Sequence, residues 1–142
     1  MGNIDCWHEA AHAALALAYG GRVTRVAVGR TRFGDREIAG VCIFIPTGIS
    51  NDALAQIYLA GPVMEKMMSP SWDPSEIKDD YERAGALVSV AEIPAVIARA
   101  RCKIESLSDE IDRLAIELLQ FRELDEGTIL RAIKTPLAWL QP

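Results

Sequence analysis

The sequence predicts an α+β domain, mainly α, with a small β-sheet and a C-terminal helical bundle. Its 142 residues are enough for one domain with a core and few for two, so residues 1–142 are taken as a single domain. The run 22–28 has alternating apolar residues and is rich in β-branched side chains, and a second run, 38–45, closes at Pro46; both are typical of short strands. The segments on either side of them show apolar residues at helical spacing, which indicates helices.

The composition is that of an ordinary globular protein, with 50% hydrophobic and 25% charged residues. The net charge is −5 and no cluster of Lys and Arg exceeds two residues, which excludes nucleic acid as a main partner. Three cysteines without a C-x-x-C pair are typical of a reducing compartment. The longest apolar stretch, 13–19, is too short to cross a bilayer, so we expect a cytoplasmic protein without a membrane partner.

The first helix is expected to begin near Asn3 or Asp5, either of which could cap it, and to end at the glycine pair that starts with Gly20. The runs 22–28 and 38–45 then predict two strands joined by a turn-rich loop, with antiparallel pairing. A sheet this small leaves an edge open, and an extended peptide could pair with it.

Two helices are predicted after the strands. Ser50 can cap the first, which is expected to run to about residue 68. The second is expected over about 75–91. Its helical phase places Asp80 inside the apolar sector and Asp79 outside it. A carboxylate directed at a core is costly unless a cation or hydrogen-bond donors meet it there.

Apolar residues over 94–121 form a heptad pattern, which predicts a long helix that folds back on the others or forms a dimer contact. The polar residues at 106–109 leave open whether this is one helix or two. A short last helix, capped at Asp125 or Thr128, is expected to end before Pro136.

The stretch His8-Glu9-Ala10-Ala11-His12 is the strongest chemical signal in the chain. Residues four apart lie on one face of a helix, so the two imidazoles can converge on one metal ion. Glu9 lies beside the pair, where its carboxylate can reach a metal-bound water as a general base. The alternative is a pair of buried core histidines with Glu9 on the surface.

A catalytic zinc site needs three protein ligands and an open position for water. The chain has no third histidine, so the remaining ligand must be Asp, Glu or Cys. Asp80 is the best candidate because of its helical phase. Its other interpretation is a buried carboxylate that caps a helix or pairs with Arg25 or Arg83. Cys6 lies on roughly the opposite side of the first helix from His8 and is expected to be a packing residue.

Laid out in this way, most of the chain resembles the peptidase domain of the FtsH family of zinc metalloproteases. The segments that carry the resemblance are HEAAHA at 8–13, IAGVC and the residues up to Pro46 at 38–46, LAGPVME at 59–65, DDYERA at 79–84, and the stretch from LL at 118–119 to EG at 126–127. The first looks like the family's zinc helix. The second is similar to a strand that borders the substrate cleft. In the fourth, the aspartate that is the family's third zinc ligand falls on Asp80.

The chain also departs from the family pattern. It contains no Walker-type glycine-lysine loop, so it carries no ATPase that would unfold and feed substrates. Ala11 stands where the family motif has a glycine. Pro62 replaces an arginine inside a predicted helix, where a proline is expected to kink the helix or shift its start.

We therefore expect a zinc-dependent metallopeptidase that hydrolyses peptide bonds. His8, His12 and Asp80 would bind one Zn²⁺, and Glu9 would activate a zinc-bound water. The substrate is expected to be a peptide or an unfolded protein that pairs with one strand. The residues expected to bind it are Gly40, Val41, Cys42 and Ile43.

The alternative is a catalytically idle metal-binding module or a helical protein-interaction module. A fourth protein ligand, such as Asp79, Glu65 or a residue from a second copy of the chain, would close the site and favour the idle metal-binding module. The sequence leaves open whether the chain forms a homo-oligomer or works with a separate ATPase or adaptor.

Overall fold

The computed structural model describes residues 4–33, 36–71 and 78–140. The structure is α+β and mainly helical, as predicted. In chain order its elements are α1 (Ile4–Ala18), β1 (Arg22–Phe33), β2 (Arg36–Ile45), α2 (Asn51–Met68), α3 (Lys78–Gly85), a short 3₁₀ helix (Val90–Glu92), α4 (Ile93–Ser106), α5 (Ser108–Phe121), β3 (Glu123–Asp125), α6 (Glu126–Lys134) and α7 (Leu137–Leu140).

The three strands form an antiparallel sheet in the order β2-β1-β3. Antiparallel pairing of β1 with β2 was expected, but the strands are longer than predicted and include most of the expected loop. The register shifts between Val28 and Thr31, next to Gly29, whose φ is +84°. Glycine adopts this backbone conformation without strain. The shift in register at Gly29 is therefore accommodated, and the two strands remain paired beyond it. Residues 34 and 35 of the expected turn lie outside the described residues.

The third strand was not predicted from the sequence. It pairs with β1 opposite Arg25, Val26 and Ala27, and buries Leu124. A strand of three residues is too short to show an alternating pattern. Because β3 covers one side of β1, β2 is an edge strand, and among the described strands only β1 pairs with it.

Helix α2 has the bounds that the sequence predicts. The Ser50 hydroxyl oxygen accepts a hydrogen bond of 3.2 Å from the backbone N–H of Ala53 and caps the first turn. The helix contains Pro62 and begins where Ser50 predicts, so of the two expected effects of the proline the shifted start does not occur. Helix α3 is shorter than the predicted 75–91 and ends at Gly85, a poor helix former. Residues 75–77 lie outside the described part of the chain.

The segment 94–121 forms two helices, α4 and α5, which meet at Leu107. The heptad residues fold back on the rest of the protein, because α4 packs on α2 and α5 packs on α1. Their buried members are Ala100, Ile104, Ile111, Leu114 and Leu118. The last predicted helix is α6, and its cap is Asp125, whose Oδ1 accepts a 2.8 Å hydrogen bond from the N–H of Thr128.

Helix α1 is central, in contact with α2, α5 and both long strands. Small buried residues allow neighbouring elements to approach its backbone closely. They are Ala10, Ala11, Ala13, Ala14 and Ala16. None of the helices within 4–33, 36–71 and 78–140 has the combination of length and apolar content that a membrane crossing requires.

Replacement of Leu118 by Ala should lower the free energy of unfolding by about 2 to 5 kcal/mol, because Leu118 is fully buried and the change leaves a cavity. The matched control is Leu130→Ala, since Leu130 is 44% exposed and its replacement should cost about 0.5 kcal/mol or less. Urea denaturation of both variants checks this. Equal losses would contradict the described packing of α5.

Candidate metal centre

Helix α1 brings His8 and His12 to one face, as the four-residue spacing predicts. Their Nε2 atoms are 3.1 Å apart, and the rings meet edge to face with centroids 4.8 Å apart. His12 is buried and His8 nearly so. Both imidazoles therefore point the same ring nitrogen at one point between the helices.

Asp80 reaches the same point from α3. Its Oδ2 lies 3.3 Å from Nε2 of His8 and 3.3 Å from Nε2 of His12. Its side chain is 16% exposed, whereas Asp79 is exposed, which agrees with the helical phase of the sequence. Arg25, one alternative partner for Asp80, instead forms an ion pair of 2.7 Å with Glu123.

The other nitrogen of each imidazole is held by an oxygen from α2. Nδ1 of His8 donates to Oε1 of Glu65 at 2.9 Å, and Nδ1 of His12 donates to the backbone carbonyl of Ile57 at 2.7 Å. Because carbonyl and carboxylate oxygens accept hydrogen bonds, the ring protons belong on Nδ1. In its neutral form, which is the form that binds a metal, each ring directs the lone pair of Nε2 at the carboxylate of Asp80, so that three acceptors face one another.

These three acceptor atoms fit a tetrahedral metal ion. An ion bound at about 2.0 to 2.2 Å places its ligand atoms about 3.3 to 3.6 Å apart. The observed separations of 3.1, 3.3 and 3.3 Å are close to that range. Two imidazole nitrogens and one carboxylate are also a ligand set that zinc commonly takes.

Gly61 of α2 keeps this space open. A Cβ at this position would overlap the Nε2 atoms of both His8 and His12. The absence of a side chain therefore leaves room at the point on which the candidate ligands converge.

Glu9 lies beside the two histidines, with a carboxylate oxygen within 4.8 Å of their ligating nitrogens. Burial raises the pKa of Glu9, and the positive charges that His12 and His8 can carry oppose this change. Gly40 of β2 packs against this side chain, since a Cβ there would lie 2.7 Å from Oε2 of Glu9. The strand thus leaves the space that the Glu9 carboxylate occupies.

The ionisable groups of the site are strongly coupled. Burial by itself would lower the pKa of His8, but hydrogen bonds to Asp80 and Glu65 outweigh it and raise this pKa to about 10. Burial would raise the pKa of Asp80, but the charges and hydrogen bonds of His12 and His8 hold it well below its usual range. The negative charges around His8 therefore favour a cation at this point, either a proton on His8 or a metal ion.

The residues predicted to bind substrate lie on the edge strand β2. Gly40 faces Glu9, and alternation along the strand places Cys42 on the same side. Val41 and Ile43 point to the opposite face of the sheet by the same alternation. Only two of the four predicted side-chain positions therefore face the candidate centre, although the backbone of all four belongs to the edge strand.

Two contributions from α2 were not assigned by the sequence. Glu65 was considered only as a fourth ligand, but it holds the other nitrogen of His8. Gly61 belongs to the LAGPVME segment that carries the resemblance, but the sequence assigned it no role at the site. A signal was present in the four-residue spacing of Ile57, Gly61 and Glu65, which places all three on one helix face. A metal-binding histidine also commonly donates its second N–H to a carboxylate or a carbonyl.

Comparison with protein-family models finds no match for this chain, and comparison with curated proteins finds none either.

Replacement of Asp80 by Asn should weaken zinc binding by more than about 100-fold, because Asn is a neutral and weaker ligand. Loss of a residue that only hydrogen-bonds to a ligand typically weakens metal binding by about 10- to 100-fold, and loss of a ligand should weaken it more. Asp79→Asn removes the same charge from the same turn of α3, at an exposed position, and should leave the affinity within about twofold. Competition titration with a zinc-sensitive dye measures both constants. If the two variants bind zinc equally well, Asp80 is not a ligand.

Replacement of Gly61 by Ala should abolish zinc binding, because the added methyl group overlaps both Nε2 atoms. Gly127→Ala is the matched control, since a Cβ in that helix meets its nearest neighbours at 3.7 Å. Ala is a better helix former than Gly by about 0.5 to 1 kcal/mol at either position, so helix propensity does not distinguish the two variants. Zinc content after dialysis separates them, and a Gly61→Ala protein that keeps stoichiometric zinc would show that the metal lies elsewhere.

Proposed function

We propose that this chain is a zinc-dependent metallopeptidase, similar to the peptidase domain of the FtsH family, that hydrolyses peptide bonds. The observation that carries the proposal is the convergence of Asp80 Oδ2 on the Nε2 atoms of His8 and His12, with Glu9 beside them. Two imidazoles, a carboxylate and an adjacent carboxylate that need not be a ligand are the parts that metal-assisted hydrolysis requires.

His8, His12 and Asp80 would hold the ion, and Glu65 and the Ile57 carbonyl would orient the rings. Zinc bound in this way would supply Lewis-acid chemistry, in which it polarises a carbonyl and lowers the pKa of a water molecule to about 7. The protein contributes a dry, fixed cluster of acceptors, which makes that chemistry effective at neutral pH.

Glu9 is the proposed general base and acid. It would take a proton from the attacking water and later deliver it to the nitrogen of the leaving amine. Its position one residue after His8 keeps it on the same turn as a ligand, while the space beside Gly40 lets its carboxylate turn toward the substrate. Burial keeps bulk water from competing for the proton.

The proposed substrate is an extended peptide or an unfolded protein that adds as a strand to the free edge of β2. Backbone pairing there would carry the peptide past Gly40, which is in contact with Glu9. Because such binding needs an extended chain, we propose delivery by a separate ATPase or adaptor, in the cytoplasm.

The idle metal-binding alternative requires a fourth protein ligand. Glu65, one candidate for that role, places Oε1 on the outward nitrogen of His8. Asp79, the other, is exposed on α3. Among the described residues, Glu9 is the remaining carboxylate close to the candidate ligands, so the two functions differ in whether Glu9 binds the ion or acts on a proton.

Replacement of Glu9 by Gln should leave zinc content unchanged and lower the rate of peptide hydrolysis by about 100- to 10,000-fold, because Gln cannot accept the proton. Glu105→Gln, on the exposed side of α4, is the control and should keep both properties. Zinc is measured by mass spectrometry of the dialysed protein, and hydrolysis by release of dye from labelled unfolded casein.

Two results of this experiment would count against the proposal. Equal hydrolysis by wild type and Glu9→Gln would remove Glu9 from the reaction. Loss of zinc from Glu9→Gln would identify Glu9 as a ligand and favour the idle module.

A further inference from the structure

Beside the candidate centre lies a second cluster, formed by Phe44 of β2, Tyr58 of α2 and Arg83 of α3. The rings of Phe44 and Tyr58 are tilted, with centroids 5.8 Å apart. The guanidinium carbon of Arg83 lies over the Tyr58 ring, 5.8 Å from its centroid. We name this group the Arg83 cluster. A cation supported by an aromatic face is a common way to recognise an anionic group.

On two helices, a residue of this cluster lies one turn from a residue of the candidate metal centre. On α2, Tyr58 precedes Gly61 by three residues, and on α3, Arg83 follows Asp80 by three. Residues three apart on a helix are neighbours on one face, with Cβ atoms about 5 to 6 Å apart. The two helices therefore place the Arg83 cluster next to the ligands.

The edge strand gives an independent indication of the same placement. Gly40 and Phe44 lie on one face of β2, which pairs without an extra residue of its own between them. Cys42 lies between them on that face. Burial raises the pKa of the Cys42 thiol well above its usual value, and the negative charges of Glu9 and Asp80 raise it further. This face of the strand thus runs from Glu9, past the candidate centre, to the Arg83 cluster.

Arg83 is accessible to a ligand, since the residue is exposed, while Phe44 and Tyr58 are half-buried and pack against the core. The aromatic pair offers an apolar wall, and the guanidinium offers donors in a planar fork that matches a carboxylate. Because this fork is exposed beside the candidate centre, Arg83 is the group that would hold such an anion.

We propose that the Arg83 cluster is a substrate subsite that selects peptides carrying a carboxylate one or two residues from the scissile bond. The carboxylate belongs either to a Glu or Asp side chain or to a free C-terminus, since both present the same group. This inference rests on the proposed peptidase function for the identity of the ligand, and it adds the substrate class. In this role Arg83 acts as a specificity-determining residue.

The test uses four otherwise uncharged peptides, with Glu or Gln at the varied position and with a free or an amidated C-terminus. Binding to the zinc-loaded Glu9→Gln protein, measured by fluorescence anisotropy, gives a readout without turnover. At least one of the two carboxylates, the Glu side chain or the free C-terminus, should improve affinity by about three- to tenfold over the neutral peptide. Charge-assisted hydrogen bonds at an exposed site give gains of that order. The arm that shows the gain identifies the source of the carboxylate.

Arg83→Gln should remove this preference, so that the carboxylate and amide peptides bind with equal affinity. Arg83→Lys keeps the charge without the planar fork and should keep part of the preference. Arg101→Gln is the matched control, because Arg101 is an exposed arginine of α4 whose partner is Glu105. It should leave the preference intact.

The possible failures are distinguishable. Affinities that are equal, or undetectable, for carboxylate and amide peptides overturn the subsite, as does a preference that persists in Arg83→Gln. If wild type hydrolyses peptides but shows no preference that depends on Arg83, the subsite fails and the peptidase proposal stands. If the carboxylate preference depends on Arg83 but wild type hydrolyses nothing, the subsite is supported and the peptidase proposal fails.

Discussion

Three buried acceptor atoms that face one another are the constraint on which the site depends. The Nε2 atoms of His8 and His12 and the Oδ2 atom of Asp80 lie 3.1 to 3.3 Å apart. Hydrogen bonds from Nδ1 to Glu65 and to the Ile57 carbonyl fix the rings in this orientation. Acceptors so close together repel unless a cation lies among them. The fold therefore creates a strongly electronegative point that favours a bound cation.

The surrounding elements pack closely around this point without filling it. Buried alanines along α1 let α2 and the strands approach closely. Gly61 has no side chain, which leaves room where the candidate ligands converge. Gly40 does the same beside Glu9. Since α2, α3 and β2 each bring at least one residue to the candidate centre and one to the Arg83 cluster, the proposed ion binding and substrate selection would share the same elements. A change in the position of one element would affect both.

Local signals in the sequence predicted most of the helical framework. Ser50 and Asp125 act as caps because a capping side chain bonds to a backbone N–H three residues on, a contact within one turn. The hairpin length and β3 were not predicted. A three-residue strand carries no period, and the extension past Gly29 depends on cross-strand pairing that the propensities of either strand alone do not report.

For the site, the sequence by itself determined that His8, Glu9 and His12 share one turn of a helix and that Asp80 faces inward, because both follow from helical period. Only the tertiary structure decided that Asp80 lies within 3.3 Å of both imidazoles and that Glu65 holds the outer nitrogen of His8. These contacts join residues that are 57 or more positions apart. Their distances are set by how α1, α2 and α3 pack, which no local pattern in the chain encodes.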